Sequence, residues 1–286
     1  MKSILICPDE PADLAPLTEL APFTLIPILG KSLLEYWIHH LADLGARDIS
    51  IVAGDRMEAV RALTGDGARW GLHVSVVAEE DDIETNKGRA ARLPAPHDVV
   101  HLNHLPAVPS MPLSGSFEQW FAAVRALMPH ALTPDRIGVH EVIPGVWTGL
   151  HTRVAPSAQL IAPCWIGGYS WIGADSIVGP NVVLEDKVFV SRGAEISESY
   201  IGPNTFVGQF TEIHNSIAWA NTLINWRRNS FVKVPDEYLL CSLEPQQVSA
   251  ETKSLPSLIR NSSMLRFREY ANGILESLSA KIIPPC

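Results

Sequence analysis

Residues 154–184 read VAPSAQLIAPCWIGGYSWIGADSIVGPNVVL, with an aliphatic side chain at every sixth position. The spacing continues to residue 213, with one residue dropped before position 201. The aliphatic positions are Val154, Leu160, Ile166, Ile172, Val178, Leu184, Val190, Ile196, Ile201, Val207 and Ile213. A period of six fits neither an α-helix nor an amphipathic strand. It predicts a triangular coil in which each side is a short strand and each corner is a turn.

Small or β-branched residues stand four positions after most of these aliphatic residues, as Cys164 and Ser170 do. We expect both kinds of position to point into the coil, whose close-packed interior admits only a compact second side chain. Glycine often follows the aliphatic residue directly. We expect such glycines, together with Asn181 and Asn204, to supply corners with positive φ.

These repeats resemble the hexapeptide repeats of left-handed parallel β-helices, and we assign residues 146–243 to a domain of that kind. The resemblance implies a fold but not a function, because acyltransferases, nucleotidyltransferases and relatives of carbonic anhydrase all carry such coils. Residues 244–286 read as a linker and a C-terminal helix, which either caps the last coil or docks on a partner.

Residues 1–140 have a different pattern, in which apolar runs alternate with helical spacings. The runs at 3–7, 48–54, 72–79 and 98–103 predict strands, and the patterns at 32–45, 56–67 and 116–128 predict helices. This alternation is typical of the α/β class, and we expect a Rossmann-like, mostly parallel sheet with helices on its faces. A ligand would bind beyond the carboxyl ends of its strands.

Two motifs in this domain narrow the interpretation. The stretch PLTELAPFTLIPILGKSLLEY from Pro16 to Tyr36 resembles the opening signature of the sugar-phosphate nucleotidyltransferases, and so does GDGARWG from Gly65 to Gly71. Members of that family join a nucleoside triphosphate to a sugar 1-phosphate and release pyrophosphate. Many of them carry a left-handed β-helix behind the catalytic domain, which is the order of domains predicted here.

The resemblance implies three groups that handle the phosphates, and all three are missing from this sequence. A glycine-rich loop with an arginine would follow the first strand, but the chain reads CPDEPADLA from Cys7. A lysine would stand in a Pro-Lys-Pro step, which here reads Pro22-Phe23-Thr24. An aspartate after the fourth strand would hold Mg²⁺, but the chain reads Asn103-His104-Leu105.

We therefore interpret the protein as a catalytically degraded nucleotidyltransferase-like subunit with a regulatory or assembly role in sugar-nucleotide or surface-polysaccharide synthesis. No catalytic residue, metal ligand or cofactor is assigned. A remaining site for a sugar nucleotide is predicted from the matches to the family at Thr18, Lys31, Glu79, Lys87, Gly88 and Asn103.

Two alternatives stay open. The first is an active sugar-1-phosphate nucleotidyltransferase that uses Mg²⁺ and substitute residues such as Lys31 or Lys87. The second is a hexapeptide acyltransferase in which His214, within TEIHNS, acts as the general base.

Composition sets further limits on partners and location. The chain has 286 residues, is 47% hydrophobic and carries a net charge of −9, which argues against wholesale disorder and against general binding of nucleic acid. It has no apolar run long enough to span a membrane, and its four cysteines are widely spaced. We expect a cytoplasmic protein with free thiols that assembles with itself or with an active nucleotidyltransferase.

Overall fold

A computed structural model describes residues 2–54, 56–78, 98–130 and 138–244. The chain divides into two compact units, residues 1–130 and 131–286. The sequence predicts a linker and a C-terminal helix within residues 244–286. Only Glu244 of this segment is among the described residues, so the predicted helix lies outside them.

The first unit is an α/β domain built on a parallel sheet. Its described strands are β1 (Lys2–Ile6), β2 (Pro27–Ile28), β3 (Lys31–Ser32), β4 (Asp48–Ala53), β5 (His73–Ala78) and β6 (Asp98–His101). Its described α-helices are α1 (Ala15–Thr18), α2 (Leu33–Asp43), α3 (Met57–Thr64) and α4 (Phe117–Leu127). The main sheet has the order β5-β4-β1-β6, and all of its neighbours run parallel. The predicted strands and helices of this unit are confirmed, including the Ser116 cap, whose hydroxyl accepts a hydrogen bond from the Gln119 backbone.

Helix α2 shows why this part of the sequence folds as it does. Ser32 and Glu35 form a reciprocal capping box, in which each side chain accepts a hydrogen bond from the other residue's backbone N–H. Trp37, Ile38 and Leu41 follow at helical spacing and are buried. The cap fixes where the helix begins, and the apolar stripe fixes which face packs inward.

The second unit is a parallel β-helix. Its strands are β7 (His140–Ile143), β8 (Val146–Thr148), β9 (Arg153–Val154), β10 (Gln159–Leu160), β11 (Cys164–Ile166), β12 (Trp171–Ile172), β13 (Ile177–Val178), β14 (Val182–Leu184), β15 (Phe189–Val190), β16 (Glu195–Ser197), β17 (Ser199–Ile201), β18 (Thr205–Val207), β19 (Glu212–His214), β20 (Ser216–Trp219), β21 (Thr222–Asn225), β22 (Ser230–Lys233) and β23 (Leu240–Ser242).

Three sheets form the sides of this coil. Their parallel parts are β8-β11-β14-β17-β20, β9-β12-β15-β18 and β10-β13-β16-β19. Cys164 lies opposite Val182, 18 positions on, whereas Val182 lies opposite Ser199 because of the residue dropped before position 201. The antiparallel strands β21, β22 and β23 end the repeat, and β7 pairs antiparallel with β8 at the other end.

The interior matches the predicted spacing. Every predicted aliphatic position from Ile166 to Ile213 is buried in one core cluster. The small residues four positions on lie inside as well, and the buried hydroxyls of Ser170 and Ser176 donate to the backbone carbonyls of Glu185 and Gly173. Val154 differs because it belongs to the first coil, and it is partly exposed.

The expected role of the glycines is only partly correct. Asn181 and Asn204 do occupy corners with positive φ. Of the five glycines that follow an aliphatic position, however, only Gly179 has a positive φ. At Gly173 the reason is space, because an added Cβ would lie 2.7 Å from the Arg192 nitrogen of the next coil. Glycine is needed there for the close stacking of coils.

Candidate functional site

The carboxyl edge of the first sheet is the candidate ligand site. Strand β1 has β4 on one side and β6 on the other, so the strand order reverses at β1. Ligands of open parallel sheets bind beyond the carboxyl ends of the strands at such a position. The Leu102 backbone N–H donates to the Ile6 carbonyl, which brings the segments following β1 and β6 to the same edge.

The segment after β1 presents a carboxylate to the turn that follows. Both carboxylate oxygens of Glu10 accept a hydrogen bond from the Phe23 backbone N–H, at 3.1 and 3.3 Å. Phe23 begins a 3₁₀ turn, Phe23–Leu25, and its side chain is buried. It also stands where the family resemblance implies a lysine. A carboxylate is thus held against the backbone of the residue that stands where the resemblance implies a lysine.

The segment after β6 offers amide and imidazole groups in place of carboxylates. The Asn103 side-chain oxygen lies 2.6 Å from His104 Nδ1, and the His104 carbonyl accepts a hydrogen bond of 2.8 Å from the Trp37 indole. Residues 99–117 contain no carboxylate. Since Mg²⁺ prefers carboxylate oxygens, the residues present after β6 do not fit the magnesium ion that the family resemblance implies.

The structure places three of the predicted ligand-binding residues on three separate segments of the first unit. Thr18 is buried at the end of α1, and its hydroxyl donates to the Ala15 carbonyl at 3.3 Å. Lys31 lies on β3, with its ammonium 6.0 Å from the centre of the Tyr36 ring. Asn103 follows β6. The others, Glu79, Lys87 and Gly88, lie outside the described residues, and the site as a whole stays a prediction.

His214, the candidate acyltransfer base, lies on β19 of the β-helix and points away from its interior. Its Nδ1 is 2.7 Å from the Ser197 hydroxyl on the neighbouring strand, and its Nε2 is 3.9 Å from a Glu212 carboxylate oxygen. Sequence reasoning did not find Ser197 as its partner. The signal was available, because the shortened coil puts Ser197 opposite His214 in the register.

Sequence analysis also does not distinguish Glu10 from the other residues of the stretch CPDEPADLA. Its specific contact depends on the path of the loop, which joins positions 10 and 23. The sequence signal is the Pro22 that starts a new turn, because the first N–H groups of a turn have no partner within it.

Comparison with known proteins supports the resemblance of the N-terminal region to sugar nucleotidyltransferases. No family model matches the chain. The N-terminal region is 32% identical over 79 residues to a glucose-1-phosphate thymidylyltransferase of Streptomyces griseus, which is 28% of this chain and 22% of that protein. It is 29% identical over 80 residues to a low-salt glycan biosynthesis nucleotidyltransferase of Haloferax volcanii, again 28% of this chain and 22% of that protein.

A third match is a CMP-5'-(3-aminopropyl)phosphonate synthase of Streptomyces rubellomurinus, 36% identical over 72 residues, or 25% of this chain and 11% of that protein. Among solved structures, a perosamine N-acetyltransferase of Caulobacter crescentus aligns with 61% of this chain and 94% of its own, at 16% identity. Its TM-score of 0.17 is too low to support an argument about fold or function.

The chain therefore combines a nucleotidyltransferase-like N-terminal region with a β-helix of hexapeptide repeats. The first two of these relatives are sugar nucleotidyltransferases, and the third is a CMP-phosphonate synthase. The matched segments span about a fifth or less of the curated relatives. Among the described residues, no helix is long and apolar enough to cross a membrane.

Proposed function

We propose that this protein is a catalytically degraded relative of the sugar nucleotidyltransferases that acts as a regulatory or assembly subunit in sugar-nucleotide or surface-polysaccharide synthesis. The contact between the Glu10 carboxylate and the Phe23 N–H carries the proposal. It places negative charge at the turn where the family resemblance implies a lysine for the phosphates.

The wider charge distribution supports the same conclusion. Residues 7–14 and 102–116, which follow β1 and β6, contain no lysine or arginine, whereas 7–14 contains Asp9, Glu10 and Asp13. Removing one preorganised charge-stabilising group from an active site commonly lowers the rate by about 10²–10³-fold. Several such losses are not additive, but together they leave little turnover to be expected.

The proposal keeps a binding role for the cleft. Lys31 lies in the segment that resembles the family signature, and it contributes a positive charge without needing magnesium. A subunit that binds a sugar nucleotide without converting it would report the product level to an active enzyme in the same oligomer. The partner is then a second copy of this chain or an active nucleotidyltransferase.

A thermal-shift panel tests this binding role. We expect at least one sugar nucleotide to raise the melting temperature in a concentration-dependent way, with the same shift in the presence and absence of Mg²⁺. Lys31→Ala should remove the shift, and Arg61→Ala, which changes an exposed cation on α3, should not. A panel in which no sugar nucleotide shifts the protein, or a shift equal in both variants, would contradict the binding role.

Acyl transfer at His214 is a second candidate, and the 2.7 Å contact between His214 and Ser197 favours it because it orients the imidazole. The test is protection by acetyl-coenzyme A. If acetyl-coenzyme A raises the melting temperature of the protein, and His214→Ala loses that effect while Ser197→Ala weakens it, this candidate replaces the first. The degraded-subunit proposal expects no such protection.

A further inference from the structure

A cavity of about 520 Å³ opens on the outside of the first coils of the β-helix. Its lining is formed by Thr152, Arg153, Val154, Ala155, Pro156 and Trp171. This volume lies within the range of about 300–1,000 Å³ that small-molecule sites occupy. All of its lining residues belong to the second unit, whereas Thr18, Lys31 and Asn103 of the predicted cleft belong to the first.

One wall of the cavity is a fixed aromatic ring. Trp171 precedes the inward-facing Ile172 on β12, so its indole points outward. The indole stacks on Phe189, with ring centres 6.0 Å apart and planes within 8°, and Phe189 in turn contacts Phe206 at 5.8 Å. The column holds the indole in one orientation, and the indole lines the cavity.

The cavity also contains a cation. Arg153 lies opposite Trp171 in the register of β9 and β12, and it is exposed. No hydrogen bond, ion pair or ring contact joins its guanidinium to another residue that the structure describes. In a chain of net charge −9, a guanidinium with no carboxylate partner among the described residues, on the strand next to that of Trp171, is suited to an anionic ligand.

We propose that this cavity binds a purine nucleotide, with the base stacked on Trp171 and the phosphate held by Arg153. A guanidinium matches phosphate oxygens in geometry, and nucleobases stack well on indole rings. The lining favours a base over a sugar ring, because Val154, Ala155 and Pro156 offer no side-chain hydrogen bonds. The Thr152 hydroxyl already donates to the Gly167 carbonyl at 2.7 Å. This nucleotide site is additional to the sugar-nucleotide site proposed for the first unit, and the two proposals are independent.

Calorimetric titration of the full chain with AMP and GMP tests the proposal, with adenosine, guanosine and ribose 5-phosphate as partial ligands. We expect at least one nucleotide to bind, and Arg153→Ala and Trp171→Leu each to weaken it about tenfold or more. Trp171→Phe should retain most of the affinity. Arg228→Ala, which removes another exposed arginine of the β-helix, should leave it unchanged.

Three results would overturn the proposal: neither nucleotide binds, ribose 5-phosphate binds as tightly as the nucleotide, or the Arg153 and Trp171 variants bind as the parent does. Melting curves of each variant show whether it is folded, and Trp171→Phe together with Arg153→Ala keeps the test decisive if Trp171→Leu unfolds. Binding that is lost in Lys31→Ala but kept in Arg153→Ala would place the nucleotide in the cleft instead. The cleft proposal and this one can therefore fail separately.

Discussion

At the level of single residues, the segment after β1 is distinguished by the way Glu10 is used. Its carboxylate accepts a hydrogen bond from the Phe23 backbone N–H. This N–H lies at the start of a turn and would have no partner within that turn. This contact ties the loop after β1 to the turn at Phe23. Under the proposed function, the same carboxylate disfavours phosphate at this place.

Replacing Glu10 should measure that structural role. Glu10→Ala leaves the Phe23 N–H without its acceptor, so we expect the free energy of unfolding to fall by about 1–2 kcal/mol. Glu10→Gln keeps a neutral acceptor and should cost less. Urea denaturation provides the measurement.

The matched control is Asp13→Ala, which removes an exposed carboxylate from the same segment. It should change the stability by no more than about 0.5 kcal/mol. Equal losses in Glu10→Ala and Asp13→Ala would show that the Phe23 contact contributes nothing specific.

Some features of the candidate site can be predicted from single residues in the sequence, and others cannot. The missing glycine, lysine and aspartate are visible in the residues themselves, because each loss is a change of residue type at a motif position. The acceptor of the Phe23 backbone N–H is not visible in the sequence, since the contact of Glu10 with Phe23 depends on the loop's path. Ser197 beside His214 required the strand register for the same reason.

At the level of elements, the coils of the β-helix stack too closely for side chains at certain corners. A Cβ added at Gly167 would lie 2.5 Å from the Glu185 carbonyl carbon and 2.6 Å from the Asp186 nitrogen. At the adjacent Gly168 the nearest atom is the Leu150 carbonyl oxygen, at 3.2 Å. Two neighbouring glycines therefore differ in how much room they have.

Alanine substitutions at Gly167 and Gly168 should differ clearly in their effect on stability. Gly167→Ala forces two coils apart, and we expect it to lower the free energy of unfolding by about 1–3 kcal/mol. Gly168→Ala requires a shift of only a few tenths of an ångström. It should cost less than about 1 kcal/mol. Thermal melts of both variants provide the comparison, and similar losses would show that corner spacing is not the constraint.

The predicted repeat was accurate because the period of six determines which side chains face inward, from Ile166 to Ile213. A second residue is dropped after Ile213, because Ile201 lies opposite Ala218 rather than opposite residue 219. This second shortening was not predicted, because the residue that then faces inward is the small Ala218. The function of the glycines was misjudged because their constraint comes from the neighbouring coil, which sequence spacing does not show.

At the level of the whole molecule, buried ionisable groups should limit stability in alkali. Burial raises the pKa of the Cys164 thiol from 9.0 to about 12. Burial, with the charges of Glu185 and Asp186, raises the pKa of the Tyr200 hydroxyl well above 10.0. The unfolded chain releases both protons at lower pH than the folded protein does. Because the unfolded state then holds fewer protons, the free energy of unfolding should fall as the pH rises above about 9.

Urea denaturation at pH values from about 8 to about 11 measures this decline. Cys164→Ala removes one of the two groups and should make the decline shallower, although the variant is less stable at neutral pH. An identical decline in the parent and in Cys164→Ala would show that the thiol does not contribute.

The central claim is that the cleft has lost the groups that handle a triphosphate, and pyrophosphate release tests it most directly. The full chain is incubated with Mg²⁺, each nucleoside triphosphate in turn and a panel of sugar 1-phosphates. We predict no pyrophosphate above the level without protein. Magnesium-dependent release that continues over many turnovers, and that is abolished by Lys31→Ala but not by Arg61→Ala, would contradict the account.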